Sequence, residues 1–75
     1  PDKISLFETV IVSANDELVR LYLNKKIKYL DINKNLIKLL NLKEFSYLKR
    51  IKPNRVLDIL NLDKYVRLKI NTKVV

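Results

Sequence analysis

Eight carboxylates, Asp2, Glu8, Asp16, Glu17, Asp31, Glu44, Asp58 and Asp63, are the side chains best suited to chemistry here, because the chain has no Cys and no His. Without those two types there is no disulfide, no thiolate or imidazole metal ligand, and no Ser-His or Cys-His nucleophile pair. What remains is acid–base or metal chemistry by carboxylates, with Lys and Tyr as helpers. Only Asp16 and Glu17 are adjacent, and neighbouring residues of a helix project about 100° apart, so the two do not converge on one ion unaided. Their better reading is negative charge at the positive end of a helix dipole. Asp58 and Asp63 also diverge. Gly is absent from all 75 positions, which excludes a glycine-rich phosphate-binding loop. The chain by itself therefore offers no catalytic, cofactor-binding or metal-binding residue.

Sixteen Lys and Arg against eight Asp and Glu leave a formal charge of +8. That invites a nucleic-acid reading, since each neutralised phosphate releases counterions. The cations are spread through Lys25, Lys34, Lys38, Lys43, Lys49, Lys64 and Lys69, with the densest group at Lys25-Lys26-Ile27-Lys28, and Lys outnumbers Arg by 12 to 4. Base reading leans instead on the forked guanidinium. A solvated face made Lys-rich by A/T-rich coding accounts for the pattern, and an independent basic helical nucleic-acid-binding module is the alternative. Tyr22, Tyr29, Phe45, Tyr47 and Tyr65 could stack on bases, yet most fall on or beside apolar stripes, which assigns them to the core or to a docking interface. Residues Leu23 to Lys28 lack the extended basic face of a membrane-surface helix. No apolar run exceeds the length of Val10-Ile11-Val12, far short of the ~20 residues that span a bilayer, and no charged-then-apolar leader precedes it. The expected location is the cytoplasm.

At this length the chain has room for one domain, whose folding buries only ~60% of the unfolded surface. Ser5-Leu6-Phe7-Glu8 has the form of a capping box. The β-branched run Thr9-Val10-Ile11-Val12 suits an extended segment instead, so residues 6–12 stay open between helix and strand. Ser13 is placed as the N-cap of a helix carrying Leu18, Val19, Leu21, Tyr22 and Leu23, which stops at Asn24-Lys25-Lys26. Ile27-Lys28-Tyr29-Leu30 reads as a short extended linker. Asp31 or Asn33 then caps a helix with Ile32, Leu36, Ile37, Leu39 and Leu40 on one side, ending near Asn41. Phe45, Tyr47, Leu48 and Ile51 fit one more short turn before Pro53. Lys52 marks a boundary and Asn54 becomes the cap of a last helix through Val56, Leu57, Ile59, Leu60 and Val66. Val66, Leu68 and Ile70 alternate with strand periodicity. The favoured reading of this tail is the frayed end of the last helix followed by a disordered 71–75, with pairing to Val10–Val12 as the alternative. The expected fold class is mainly α, a small three- to four-helix bundle over residues 1–75, with a short two-stranded pairing of the ends as its variant.

Ser13-Ala14-Asn15-Asp16, Tyr22-Leu23, the Asn24-Lys25-Lys26 turn and Ile27-Lys28-Tyr29-Leu30-Asp31-Ile32 follow one another in a recognisable order. They resemble the C-terminal helical domain of the 1-deoxy-D-xylulose 5-phosphate reductoisomerase family, whose pattern reads Ala-Ala-Asn-Glu, an apolar helix ending in Phe-Leu, a polar turn, and Ile-x-Phe-x-Asp-Ile. Asp58-Ile59-Leu60-Asn61-Leu62-Asp63 with Arg67 is similar to the family's later Asp-x-Leu-x-x-Asp and Arg. The departures are Ser13 for Ala, Asp16 for Glu, bulky Leu18 and Val66 where Ala is usual, and Lys25 where Gly is common. The matched blocks cover about residues 10–34 and 53–68, and the Lys- and aromatic-rich stretch between them carries no matching motif.

The resemblance implies an enzyme of non-mevalonate isoprenoid biosynthesis that isomerises and reduces 1-deoxy-D-xylulose 5-phosphate to 2-C-methyl-D-erythritol 4-phosphate, using NADPH and a divalent metal, Mg or Mn. It also implies that the nucleotide-binding, metal-binding and substrate-phosphate residues lie in two upstream domains, so none falls on residues 1–75. The chain would then be the non-catalytic C-terminal structural domain. Its partners would be the upstream catalytic and nucleotide-binding domains of the same polypeptide, in a parent that is a homodimer and not membrane-bound. Apolar stripes this wide for a marginal core leave surface that docking would use. The isolated chain is therefore expected to show low stability or self-association; two-state melting of a monomer above ~65 °C would contradict this.

Overall fold

Residues 6–12 are helical, continuous with the helix expected to begin at Ser13, so that α1 spans Leu6–Leu23. The computed structural model describes residues 5–73. Ser5 takes the N-cap position with extended backbone, although its hydroxyl makes no capping hydrogen bond. Packing overrides the β-branched propensity of Thr9–Val12. Val10, Ala14, Leu18 and Leu21 recur at helical spacing and are all buried, and burying each of the larger ones is worth ~1.5–3 kcal/mol, more than the few tenths that β-branching costs a helix. Ser13 is thus an interior, buried residue of α1 and not its cap.

The second helix, α2 (Tyr29–Leu40), begins inside the stretch expected to be an extended linker. Asp31 still supplies the cap, but from the first turn: its carboxylate accepts the Lys28 N–H at 2.9 Å. Leu39 is buried and Ile32, Leu36 and Leu40 pack against the core, whereas Ile37 stays exposed. The short helix α3 (Lys43–Ser46) and a 3-10 turn (Tyr47–Arg50) follow, burying Phe45 and Leu48. Residues 51–55 around Pro53 are not helical. The last helix, α4, covers Val56–Lys73. The Asp58 carboxylate accepts the Asn54 and Arg55 N–H groups at 3.3 and 3.2 Å, satisfying donors that the helix start leaves free.

The strand alternative for the tail is not adopted. Val66 and Ile70, four residues apart, are buried while Leu68 between them is exposed, which is helical rather than alternating burial. Residues 71–73 continue α4 instead of being disordered, and the expectation for Val74 and Val75 lies outside the described residues.

The α1 and α4 helices lie side by side and run parallel: Ser13 faces Asp63 and Glu17 faces Arg67. Parallel neighbours need a return path. Here α2 doubles back along α1, and α3 with the 3-10 turn brings the chain to the start of α1, where the Leu6 N–H donates to the Ile51 carbonyl at 2.7 Å. The core is the set Val10, Ala14, Leu18, Leu21, Leu39, Phe45, Leu48, Val66 and Ile70. Because α1 packs against α4, α2 and the 3-10 turn, it is the central strut.

The first helix stops in a two-bond cap, with the Lys26 N–H donating to the Leu21 carbonyl and the Lys25 N–H to the Tyr22 carbonyl, both at 2.9 Å. The left-handed residue is Lys25, with φ of 61°, and not Asn24. A Cβ in that region costs ~1–2 kcal/mol, which Gly avoids at the expense of a more flexible unfolded chain. Lys25→Gly is therefore expected to raise unfolding free energy by about 1 kcal/mol; urea titration showing no gain would refute the strain.

Candidate functional site

The acids read as helix-start charges form the most connected polar cluster of the molecule. Glu17 sits in the middle of α1, and its side chain is 5% exposed. Its carboxylate accepts hydrogen bonds from Arg20 Nε at 3.1 Å, Arg67 Nη1 at 3.2 Å and Asn71 Nδ2 at 2.7 Å. Arg67 also donates from Nε to both oxygens of Asp63, at 3.0 and 3.2 Å, and its Nη2 lies 3.9 Å from Asp16. The Ser13 hydroxyl closes the chain by donating to Asp63. The helical period explains the grouping: residues 13 and 17 on α1, and 63, 67 and 71 on α4, each recur at four-residue intervals on one face.

The Arg20 guanidinium, opposed by burial and aided by Asn71 and Arg67, holds the Glu17 carboxyl at about 2, below its ordinary 4.5. Burial works against the Arg67 cation, but the hydrogen bonds it donates to Asp63 and Glu17 outweigh it and raise its pKa. A second pair ties α3 to α4: Lys69 and the Tyr65 hydroxyl donate to Glu44, and Lys69, then Tyr65, lower the Glu44 carboxyl. Phe45 and Tyr65 meet edge to face beside it, ring centroids 5.9 Å apart.

Beside the Glu17 cluster, Glu8, Thr9, Val12 and Ser13 of α1 and Ile59, Leu60 and Asp63 of α4 line an open groove of about 380 Å3. Its walls are mostly apolar, and Val12 and Leu60 are exposed in them. The lining residues are interior to helices, so the shape is held by elements rather than loops.

Asp16 and Glu17 do converge, together with Asp63, but on Arg67. Oxygens already engaged by a guanidinium are a poor fit for a divalent metal, which wants bare oxygen ligands. No group of three acidic side chains among the described residues could hold one. The other acids stand apart: Glu8 is exposed on α1, Asp31 and Asp58 cap α2 and α4, and Asp2 lies outside the described residues. Exposed Lys side chains are spread over α2, α3, the 3-10 turn, α4 and the connections at residues 24–28 and 51–55, with none on α1, so they make no concentrated basic face. Of the aromatics, Phe45 is core, Tyr22 and Tyr29 stack edge to face near the α1–α2 turn, and Tyr47 and Tyr65 are exposed. Sequence reasoning missed the Glu17–Arg67 pairing, whose only linear signal is the shared four-residue spacing of two polar sets fifty residues apart. No helix among the described residues is long and apolar enough to cross a membrane.

Comparison with known proteins extends the motif resemblance. The family model of the DXP reductoisomerase C-terminal domain matches residues 3–69, including the stretch between residues 34 and 53 that carries no motif of its own. The 1-deoxy-D-xylulose 5-phosphate reductoisomerase of Pelagibacter ubique (strain HTCC1062) is 56% identical over 68 residues, covering 91% of this chain and 18% of the relative. The chain thus spans less than a fifth of the length of that curated relative. No solved structure matches.

The low Glu17 pKa makes a prediction with a definite sign. A carboxyl at about 2 when folded and 4.5 when unfolded adds stability that is fully present above pH 4.5 and lost as pH falls through 2. Glu17→Gln is expected to lower unfolding free energy by roughly 2–3 kcal/mol at pH 7. That gap should narrow between pH 4.5 and 2; denaturant titrations showing a constant gap would remove Glu17 from the acid response.

Proposed function

The chain belongs to the DXP reductoisomerase C-terminal domain family, and from that premise we propose that it is the non-catalytic structural end of a longer reductoisomerase. The parent enzyme isomerises 1-deoxy-D-xylulose 5-phosphate and reduces it to 2-C-methyl-D-erythritol 4-phosphate, as a cytoplasmic homodimer in isoprenoid biosynthesis. NADPH supplies the hydride, and a divalent metal, Mg or Mn, polarises the substrate oxygens. Both are held by the upstream domains. The observation that carries this reading is 56% identity over 91% of the chain to a protein of that name.

The chemistry of the chain supports the division of labour. Its converging carboxylates are consumed in ion pairs with Arg20 and Arg67, and it has no Gly with which to approach a dinucleotide. What it contributes is rigidity: two parallel helices locked in register by buried polar contacts, each of 18 residues and so about 27 Å long. Such a body can brace a neighbouring domain without entering its active site.

The test uses the longer polypeptide that carries this chain, supplied with Mg2+ or Mn2+. Oxidation of NADPH that depends on 1-deoxy-D-xylulose 5-phosphate is expected from it and not from the 75 residues alone. Deleting the domain should lower kcat/KM by roughly tenfold or more, because small misplacements of catalytic groups cost that much. A full-length protein without substrate-dependent turnover would overturn the reading.

A further inference from the structure

Among the exposed large apolar side chains, two groups lie at opposite ends of the bundle. At one end, Val12, Val56, Leu57 and Leu60 lie in or beside the α1–α4 groove, with exposures of 59, 72, 50 and 52%. At the other, Tyr22, Leu23, Tyr29 and Leu30 surround the α1–α2 turn among three lysines. Only the first forms a groove between two long helices. Val56 precedes Leu60 by one helical turn and so extends its apolar wall.

We propose that this α1–α4 groove is the seat of the polypeptide immediately upstream of the domain. The proposal rests on the reading of the chain as one domain of a longer reductoisomerase. The relative to which the chain is 56% identical has more than four-fifths of its length outside the matched region. In that reading the preceding chain enters at the start of α1. Glu8, Thr9 and Val12 line the groove within the first two turns of that helix, about 10 Å from its beginning, whereas the α1–α2 turn is about 27 Å away. A tethered segment meets the nearer surface at the higher effective concentration.

Charge narrows the occupant further. Of the two acids lining the groove, Asp63 is held by Arg67, so the exposed Glu8 is the charge presented to an occupant, in a chain of net charge +8. The complementary surface is therefore apolar side chains flanked by a Lys or Arg of the upstream domain.

The experiment places a photo-crosslinking phenylalanine analogue at Leu60, and separately at Leu30, in the full-length protein, using a mixture of isotopically light and heavy copies. Crosslinks from position 60 to upstream residues of the same copy are expected, with no such products from position 30. Crosslinks from position 60 to another copy, or none at all, overturn the proposal. As a second measurement, Leu60→Asp should split the melting of the full-length protein, lowering the transition of this domain by roughly 5 °C or more, while Leu30→Asp leaves it unchanged; an unaltered transition in Leu60→Asp counts against the seat. Turnover of the unsubstituted protein keeps the two readings apart. An active reductoisomerase without the intramolecular crosslink refutes the groove alone, and the crosslink in a protein without turnover refutes the enzymatic reading alone.

Discussion

A carboxylate removed from water must be matched by donors, and Glu17 is the group on which this constraint falls. Its nearly buried side chain is met by Arg20 from its own helix and by Arg67 and Asn71 from α4. One register of α4 against α1 satisfies Glu17 and, through Asp63, Ser13 as well. Sliding α4 by a turn would leave an uncompensated charge in a low-dielectric site, a penalty of several kcal/mol. Hydrophobic contacts between Val10, Leu18, Val66 and Ile70 provide most of the attraction, but they tolerate sliding far better than hydrogen-bonded ions do. Among the described residues no buried side-chain polar atom is left without a partner.

The remaining architecture follows from holding α1 and α4 parallel. Two consecutive helices joined by a short turn pack antiparallel, so a parallel pair requires intervening chain that returns once over the length of the first helix. Helix α2 covers part of that distance, and the broken stretch of α3, the 3-10 turn and Pro53 covers the rest. These pieces also cap the core, with Phe45 and Leu48 sealing it against α1. A chain of this size has few residues to enclose its apolar surface. The exposed Val12, Val56, Leu57 and Leu60 are part of the apolar surface left uncovered once the three long helices have packed.

Much of the fold was legible because it depends on local chemistry. The Asn24-Lys25-Lys26 stop, the Asp31 cap, the break at Pro53 and the apolar stripes through Leu18, Leu39 and Val66 are each signalled within a turn or two of sequence. The misreadings share one cause. Ser13, Asp16 and Glu17 look like a helix start because a hydroxyl followed by acids normally supplies one. In the folded chain their partners are Asp63, Arg67 and Asn71, fifty or more residues away. Thr9–Val12 was ambiguous for the same reason: β-branching is a local preference, and burial of Val10 is a long-range gain.

The sequence by itself determined the helical class, the lack of any Cys or His side chain, and the motif order that places the chain in its family. Each of these is a property of residue identity or of spacing within a few turns. Tertiary structure alone decided that α1 begins at Leu6, that Asp16 and Glu17 share Arg67 with Asp63 instead of standing at a helix end, and that α1 and α4 leave a groove between them. Those outcomes depend on which distant surfaces meet, because desolvation of a charge and burial of a side chain are set by the neighbours that exclude water.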